Sequence, residues 1–236
     1  MTTSKDTMAA YNEIYQSSGI VRRASYFLWL FDLVDIRPGQ LLVDASCGQG
    51  QLVDFAQKKG IRAIGFDVSF QAVKRGLELN KNAGWFVSDG EICSLPDGCA
   101  DLVMNIGSLE HYQNVDYGIK ELARIVKRDG TVLILLPNTF ALFGNIKYAI
   151  KHGDAFDDGQ PLQRYNTNLG WKKIIERNGL KVIKTVKYEV SPPKTWKDFG
   201  WMVRRPKKLM RYFLSILIPL NLANAFVYLC KCKDAV

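Results

Sequence analysis

Three carboxylates of this sequence, Asp44, Asp67 and Asp89, stand at the ends of successive apolar, β-rich runs. The first is followed by a short turn at residues 45–50 that contains two glycines, which let a backbone approach a ligand closely. The second, Asp67, lies seventeen residues beyond Gly50, where a carboxylate can accept hydrogen bonds from both hydroxyls of a ribose. A single acid there is more often a helix cap or a turn former, but three at successive strand ends predict a ligand site.

An acid beside a glycine-bearing turn also restricts the kind of ligand. A dinucleotide site holds phosphates on a G-x-G-x-x-G turn at a helix N-terminus, and Asp44 would repel those phosphates. The acid therefore favours a cofactor that bears a cationic group. The alternative is that the turn is only a tight connection between a strand and a helix.

A second pair of residues, Glu110 and His111, follows the fourth β-rich run. An unperturbed histidine has a pKa of about 6.5, which suits a general base for a hydroxyl acceptor. The alternative is that both residues cap the next helix or orient the loop. The only other histidine of the sequence, His152, is interpreted as a solvated residue, and no metal site is predicted because no further ligands accompany the pair.

Apolar runs alternate with helical patterns along the chain, and these runs are hydrophobic throughout rather than at alternate positions. Such runs are typical of strands in a sheet that helices cover on both faces. We therefore predict an α/β fold with a doubly wound, mostly parallel sheet, whose ligands bind at the carboxyl ends of the strands. The predicted strands are 41–45, 61–67, 85–89, 101–106, 130–137, 181–190 and 225–233, and the predicted helices are 21–35, 51 onward, 70 onward, 115–128 and 168–180.

The 236 residues are enough for one sizeable α/β domain, and we expect a single domain. Its expected parts are N-terminal cap helices, a cofactor-binding core, a lid insertion after the fifth strand, and a C-terminal part with an insertion before the last strand. These parts are 1–40, 41–137, 138–167 and 168–236, and the last contains a basic segment at 194–211. The five cysteines are odd in number and scattered, so no disulfide framework is expected.

Four motifs occur in order along the chain: VDASCGQG, IGFDVS, SDGEICSLPDGCADLVMNIGSLEH and ELARIVKRDGTVLILLPN. Together they resemble the motif series of class I S-adenosylmethionine-dependent methyltransferases, particularly the ubiquinone-biosynthesis-like, type 11 subgroup that acts on small molecules. The resemblance covers residues 10–190, with a family-like last strand at 225–233. It implies a Rossmann-like fold with a seven-stranded sheet, and an enzyme that uses S-adenosylmethionine.

The resemblance also implies a role for each motif. The turn after Asp44 would surround the methionine part of the cofactor, Asp67 would hold the ribose hydroxyls, and Asp89 would face the adenine amino group. Glu110 and His111 would lie at the methyl end as catalytic residues. The implied cofactor-binding residues are Asp44, Ala45, Cys47, Gly48, Gly50, Asp67, Val68, Asp89, Gly90 and Ile106.

Ser46 departs from this family pattern, in which glycine is common at the same position. Because serine adopts a positive φ only at a cost, we expect a negative φ at Ser46. The alternative is a cofactor site of reduced affinity.

Positive charge is concentrated near the C-terminus. The net charge is +9, and residues 191–236 contain nine Lys or Arg against two Asp. The uncharged stretch 212–230 that follows the basic segment is open to three interpretations: a membrane-spanning helix, an amphipathic element on an anionic membrane surface, or a helix, turn and strand of a water-soluble fold. We favour the third and, because the N-terminus is polar, expect a cytoplasmic protein, with peripheral membrane contact as the alternative.

For the acceptor we expect a small molecule, such as a saccharide, a quinone-like compound or a natural product, methylated at oxygen. One alternative is a peripheral-membrane methyltransferase of a lipid or quinone, and another is a non-catalytic protein that binds S-adenosylmethionine. Aromatic residues of the lid and tail could enclose a substrate ring or could pack the insertion onto the sheet. Residues 105–108 read NIGS rather than the [DN]-P-P-[YFW] box of base-methylating enzymes, so nucleic acid is not an expected partner.

Overall fold

The computed structural model describes residues 4–17, 19–154, 156–157 and 159–233. Its strands are β1 (Leu41–Ala45), β2 (Arg62–Asp67), β3 (Gly84–Val87), β4 (Ala100–Ile106), β5 (Val126–Pro137), β6 (Leu180–Tyr188) and β7 (Ala225–Cys232). Its helices are α1 (Ser4–Ser17), α2 (Ala24–Phe31), α3 (Gln51–Lys58), α4 (Phe70–Leu79), α5 (Val115–Ile125), α6 (Lys147–His152), α7 (Asn168–Arg177), α8 (Trp196–Val203) and α9 (Pro206–Leu217).

The seven strands form one sheet in the order β3-β2-β1-β4-β5-β7-β6. Strands β1 to β5 are parallel to one another, whereas β7 runs antiparallel to both β5 and β6. The strand order reverses between β1 and β4, so a crevice opens there at the carboxyl ends of the strands. The predicted doubly wound, mostly parallel, seven-stranded sheet is confirmed.

Successive residues of the central strands pack on opposite faces of the sheet. On β1, Val43 joins one buried cluster with Phe66 and Trp171, whereas Leu42 joins a second buried cluster with Tyr26. Because both faces are covered, a central strand is hydrophobic at consecutive positions, as its sequence predicts. The core therefore holds the strand ends, and the residues that follow them, in fixed positions.

Side-chain caps begin the helices that follow these strands. Ser69 Oγ accepts a hydrogen bond from the Ala72 N–H at the start of α4 (3.2 Å), and Asn114 Oδ1 accepts one from the Asp116 N–H at the start of α5 (3.0 Å). Each cap satisfies an N–H group that has no partner within its helix. The caps fix the direction in which each helix leaves the carboxyl edge of the sheet.

Several bounds differ from the sequence-based expectations: α2 covers Ala24–Phe31 rather than 21–35, and β5 begins at Val126 rather than at residue 130. Helix α5 ends at Ile125 rather than at residue 128, because Val126 already pairs with Ala100 of β4. The stretch 212–230 is the end of α9, a 3-10 turn at Leu220–Leu222 and most of β7, which confirms the favoured helix, turn and strand. Within the described ranges, no helix has the length and apolar character that crossing a membrane requires.

The segment 138–167 contains a π-helical turn at Leu142–Ile146, followed by α6. It is fastened beside the carboxyl end of β5, where Asn138 Nδ2 donates hydrogen bonds to the carbonyl groups of Asn221 (2.9 Å) and Ala223 (2.7 Å). The segment thus starts at the same edge of the sheet as the crevice.

Candidate active site

A cavity occupies the carboxyl ends of β1, β2 and β4, where the strand order reverses. Residues from the strand ends, from the turn after β1 and from α1 form its wall. Eight of the ten predicted cofactor-binding residues line it, as does His111. The eight are Asp44, Cys47, Gly48, Asp67, Val68, Asp89, Gly90 and Ile106.

The other two predicted residues, Ala45 and Gly50, do not line the cavity. Ala45 is fully buried in the core of the sheet. Gly50 has a φ of 77°, and a Cβ atom there would lie 2.1 Å from the ring of Trp85. A Cβ on Gly65 or Gly76 would also meet this ring, at 2.8 Å and 2.5 Å respectively. The three glycines therefore form a slot for one indole, and packing alone accounts for glycine at position 50.

Asp67 connects the end of β2 to the turn after β1. Its Oδ2 accepts a hydrogen bond from the Gly48 N–H and its Oδ1 accepts one from the Ser69 N–H, both at 2.9 Å. Burial raises the pKa of Asp67 to about 6, although these backbone N–H groups oppose the shift. Each carboxylate oxygen keeps a further lone pair, which is available to a ligand hydroxyl in the cavity.

Asp44 is a buried carboxyl group in the wall of the cavity. Its side chain is only 4% exposed, and it accepts no hydrogen bond and forms no ion pair within the part of the chain that the structure describes. Burial, together with the nearby charge of Asp67, raises the pKa of Asp44 to about 8. Since a buried carboxylate without donors is costly, a cationic or strongly donating ligand would stabilise it.

Ser46 has a φ of 65°, so the expectation of a negative φ was wrong. Its Oγ lies 2.7 Å from the hydroxyl oxygen of Tyr112, which also accepts a hydrogen bond from Asn105 Nδ2 at 3.2 Å. This buried network offsets the cost of the left-handed conformation, which is of the order of 1 kcal/mol for a residue other than glycine.

Gly90 is also explained by Tyr112. A Cβ atom on Gly90 would lie 2.0 Å from the Tyr112 hydroxyl oxygen, so a side chain there would displace the phenol. Both residues line the cavity. A contact from the Gly90 backbone to a cofactor ring stays a prediction.

Helix α1 covers the cavity; cap helices were expected over residues 1–40, but the sequence reasoning did not predict that tyrosines of α1 line the site. Tyr11 and Tyr15, four residues apart on one face of α1, line the cavity, and Asn12 fastens the helix by accepting hydrogen bonds from Ser69 Oγ (2.7 Å) and the Gln71 N–H (3.2 Å). The Tyr15 hydroxyl lies 2.6 Å from where a Gly48 Cβ would be. The spacing of the two tyrosines is the only sequence signal for this cover.

Glu110 and His111 lie in a short 3-10 turn at Leu109–His111, and both are buried. His111 Nδ1 contacts the carbonyl oxygen of Leu162. Because a carbonyl only accepts, Nδ1 carries the hydrogen and Nε2 is the basic nitrogen of the neutral ring. This Nε2 lies 3.9 Å from Glu110 Oε1.

Arg164 holds the turn in place from the segment 138–167. Its guanidinium donates hydrogen bonds to the carbonyl oxygens of Glu110 (3.2 Å) and Gln113 (3.1 Å), and to that of Tyr112. The contact between Leu162 and His111 comes from the same segment. The segment 138–167 therefore positions the two predicted catalytic residues.

A second cavity adjoins the first, and Ile106, Gly107 and His111 line both. Its wall contains aromatic rings from the segment 138–167 and from β6, together with four cationic side chains. The rings are Phe143, Tyr148, Phe156, Tyr165 and Tyr188, and the cations are Arg22, Lys147, Lys151 and Arg211. His152 is exposed, as predicted; it also lines this cavity, and its ring centre lies 4.5 Å from that of Tyr148.

Metal ligands do not cluster in the described residues: no group of three or more His, Cys, Asp or Glu side chains could hold an ion. None of the five cysteines forms a disulfide there. The walls of the two cavities contain carboxylates, the imidazoles of His111 and His152, phenols and cations.

Comparisons with known proteins agree with this geometry. Residues 43–134, about two fifths of the chain, match the family described as a methyltransferase domain. Over 101 residues the chain is 33% identical to 2-methyl-6-phytyl-1,4-hydroquinone methyltransferase of a Synechocystis species, covering 41% of this chain and 32% of the relative. Over 113 residues it is 28% identical to a ubiquinone/menaquinone biosynthesis C-methyltransferase of Hydrogenovibrio crunogenus, covering 44% of each.

The chain thus spans 32% and 44% of the length of these two relatives. Among solved structures, it is similar to an S-adenosylmethionine-dependent methyltransferase from Mesorhizobium loti, with a TM-score of 0.65, 12% sequence identity and coverage of 88% of this chain and 98% of the other. At that identity the likeness shows the fold alone.

Proposed function

We propose that this chain is a class I S-adenosylmethionine-dependent methyltransferase that transfers the methyl group of S-adenosylmethionine to a small-molecule acceptor. The observation that carries this proposal is the buried Asp44 carboxylate, which faces the first cavity without a protein donor. The ammonium group of the cofactor's methionine part supplies the missing positive charge, and the same cofactor carries ribose hydroxyls for Asp67.

The residues of the first cavity fit this cofactor by their chemistry. Two buried carboxylates, Asp44 and Asp67, match one ammonium group and one pair of hydroxyls, whereas they would repel a phosphate. Gly48 donates its N–H to Asp67 and so keeps the turn against the cavity. When bound, the cofactor supplies an electrophilic methyl group on a sulfonium centre.

We propose that His111 is the general base and that the acceptor atom is a hydroxyl oxygen. Nε2 of the ring can take the proton of the acceptor, and Glu110, 3.9 Å away, can stabilise the imidazolium that forms. Ile106, Gly107 and His111 lie where the two cavities meet, so an acceptor in the second cavity would lie beside the methyl group. Holding the two reacting atoms close and in line supplies most of the acceleration of such a displacement.

The second cavity supports an acceptor that combines an apolar or aromatic part with a polar or anionic group. The rings of Phe143, Tyr148 and Tyr188 can enclose the first, and Lys147 and Lys151 can pair with the second. A quinone-like compound and a natural product with a phenol both meet this description.

A lipid or a membrane-borne quinone is a second candidate for the acceptor. The observation that favours it is that Arg211 of α9 lines the second cavity, while the same helix exposes apolar side chains to solvent. The two relatives described above are named for a phytyl hydroquinone and for quinone biosynthesis.

The test is production of S-adenosylhomocysteine from S-adenosylmethionine in the presence of phenolic and other hydroxylated acceptors. Each class of acceptor is tested with a neutral compound and with an anionic one. His111→Gln should lower kcat by at least about a hundredfold, while binding of S-adenosylhomocysteine stays unchanged. Turnover by the variant at the wild-type rate would eliminate His111 as the base. If the protein binds the cofactor but methylates none of the acceptors, the result would favour a non-catalytic S-adenosylmethionine-binding protein.

A further inference from the structure

Helix α9 is attached to the protein by its polar side. Arg211 Nη2 pairs with Oε2 of the buried Glu189 at 3.1 Å, just beyond the end of β6. Lys187 Nζ donates hydrogen bonds to the carbonyl oxygens of Ser215 (2.9 Å) and Ile218 (2.7 Å), at the C-terminal end of the helix. Arg211, Tyr212 and Ser215 are all half-buried by these contacts.

The apolar side of α9 faces solvent. Met210, Phe213 and Leu217 follow one another at spacings of three and four residues, so they share one face of the helix, and they are 59%, 59% and 77% exposed. Ile216 is 68% exposed and Leu214 is 37% exposed. An amphipathic helix of a water-soluble protein normally points its apolar face inward, so α9 is reversed relative to that arrangement.

Positive charge borders the N-terminal end of this apolar face, where Arg205 and Lys208 lie over the ring of Trp201, and negative charge is absent from the same part of the sequence. Arg204, Arg205, Lys207 and Lys208 lie at the start of α9, and all four are exposed. No Asp or Glu occurs between residues 199 and 233. On the preceding helix α8, Trp196 is 89% exposed.

We propose that α9 docks on an anionic lipid bilayer, with its apolar face in the interface between headgroups and acyl chains and its cations against the headgroups. A reversed amphipathic helix with a basic border has the form of an interfacial helix. A second copy of the chain fits this surface less well, because pairing of two α9 helices would leave both sets of cations without a counter-charge from residues 199–233. This docking goes beyond methyl transfer and does not depend on it.

The experiment is sedimentation of the full chain with vesicles of phosphatidylcholine, with and without phosphatidylserine, at low and high salt. Wild type should bind vesicles that contain phosphatidylserine and should dissociate at high salt. Phe213→Ser should weaken binding by about tenfold or more, because a phenylalanine no longer leaves water. Neutralising Lys207 and Lys208 should weaken it by about fivefold for each cation.

Leu169→Ser is the matched control, because Leu169 is 60% exposed but lies on α7. It should bind vesicles as wild type does, and all variants should keep wild-type affinity for S-adenosylhomocysteine, which separates this proposal from that of methyl transfer. Two results would overturn the docking proposal. One is that phosphatidylserine does not increase the binding of wild type to vesicles. The other is that wild type without vesicles is a dimer by light scattering and that Phe213→Ser is a monomer.

Discussion

Replacing Asp44 by Asn should stabilise the empty protein and weaken its cofactor site. The folded protein raises the pKa of Asp44 to about 8, mainly by burial, whereas an aspartate in the unfolded chain has a pKa of about 4. Between these two values the folded state holds a proton that the unfolded state releases. The free energy of unfolding of wild type therefore falls as pH rises, by about 1.4 kcal/mol for each pH unit from this one group.

The Asp44→Asn variant lacks this contribution, so its advantage should depend on pH. Its free energy of unfolding should equal that of wild type near pH 4 and exceed it increasingly at higher pH. The difference between the two proteins should grow by about 3 kcal/mol from pH 5 to pH 7. Urea denaturation across this pH range measures the difference, with Asp129→Asn as the control because Asp129 is exposed. The same variant should bind S-adenosylhomocysteine at least about tenfold more weakly, since it loses a charged acceptor for the ligand's ammonium group.

Either of two results would refute this reasoning. If Asp44→Asn were less stable than wild type at every pH, the carboxylate would have a stabilising partner that this structure does not contain. If binding of S-adenosylhomocysteine were unchanged, Asp44 would not contact the cofactor.

Three further changes have outcomes that follow from contacts already described. Affinity for S-adenosylhomocysteine should fall by up to about tenfold for each pH unit below 8, because the ligand binds the ionised form of Asp44; calorimetry at several pH values checks this, and a flat profile would oppose it. Ser46→Gly should be more stable than Ser46→Ala by about 1 kcal/mol in thermal unfolding, since glycine removes the cost of the positive φ; equal stability would mean that the turn is unstrained. Gly76→Ala should lower the free energy of unfolding by about 1–3 kcal/mol, because its Cβ would meet the ring of Trp85. Gly200→Ala, whose Cβ would have no atom within 4 Å, should be neutral or stabilising. Equal effects of the two substitutions would contradict the slot that the glycines form around the indole.

The sheet and the acidic strand ends could be predicted because they depend on local pattern. Strands covered on both faces are hydrophobic throughout, and Asp44, Asp67 and Asp89 stand directly at the ends of such runs. Parallel strands bring these ends to one edge, so residues far apart in sequence come together by topology alone.

The features that could not be predicted depend on contacts between distant segments. The positive φ of Ser46 is supported by Tyr112, sixty-six residues away, and the glycine at position 50 is required by Trp85. The cover formed by Tyr15 and the reversed orientation of α9 likewise depend on what each helix packs against. A helical spacing such as that of Tyr11 and Tyr15 shows which residues share a face, but it does not show which partner that face meets.

Calorimetric titration of S-adenosylhomocysteine into wild type and into Asp67→Ala tests the central claim most directly, with circular dichroism to establish that both samples are folded. We predict micromolar binding to wild type that Asp67→Ala abolishes, because the substitution removes both the acceptor for the ribose hydroxyls and the carboxylate that holds Gly48. A folded wild-type protein that binds no S-adenosylhomocysteine would contradict the account, and the methyltransferase likeness would then extend to the fold alone.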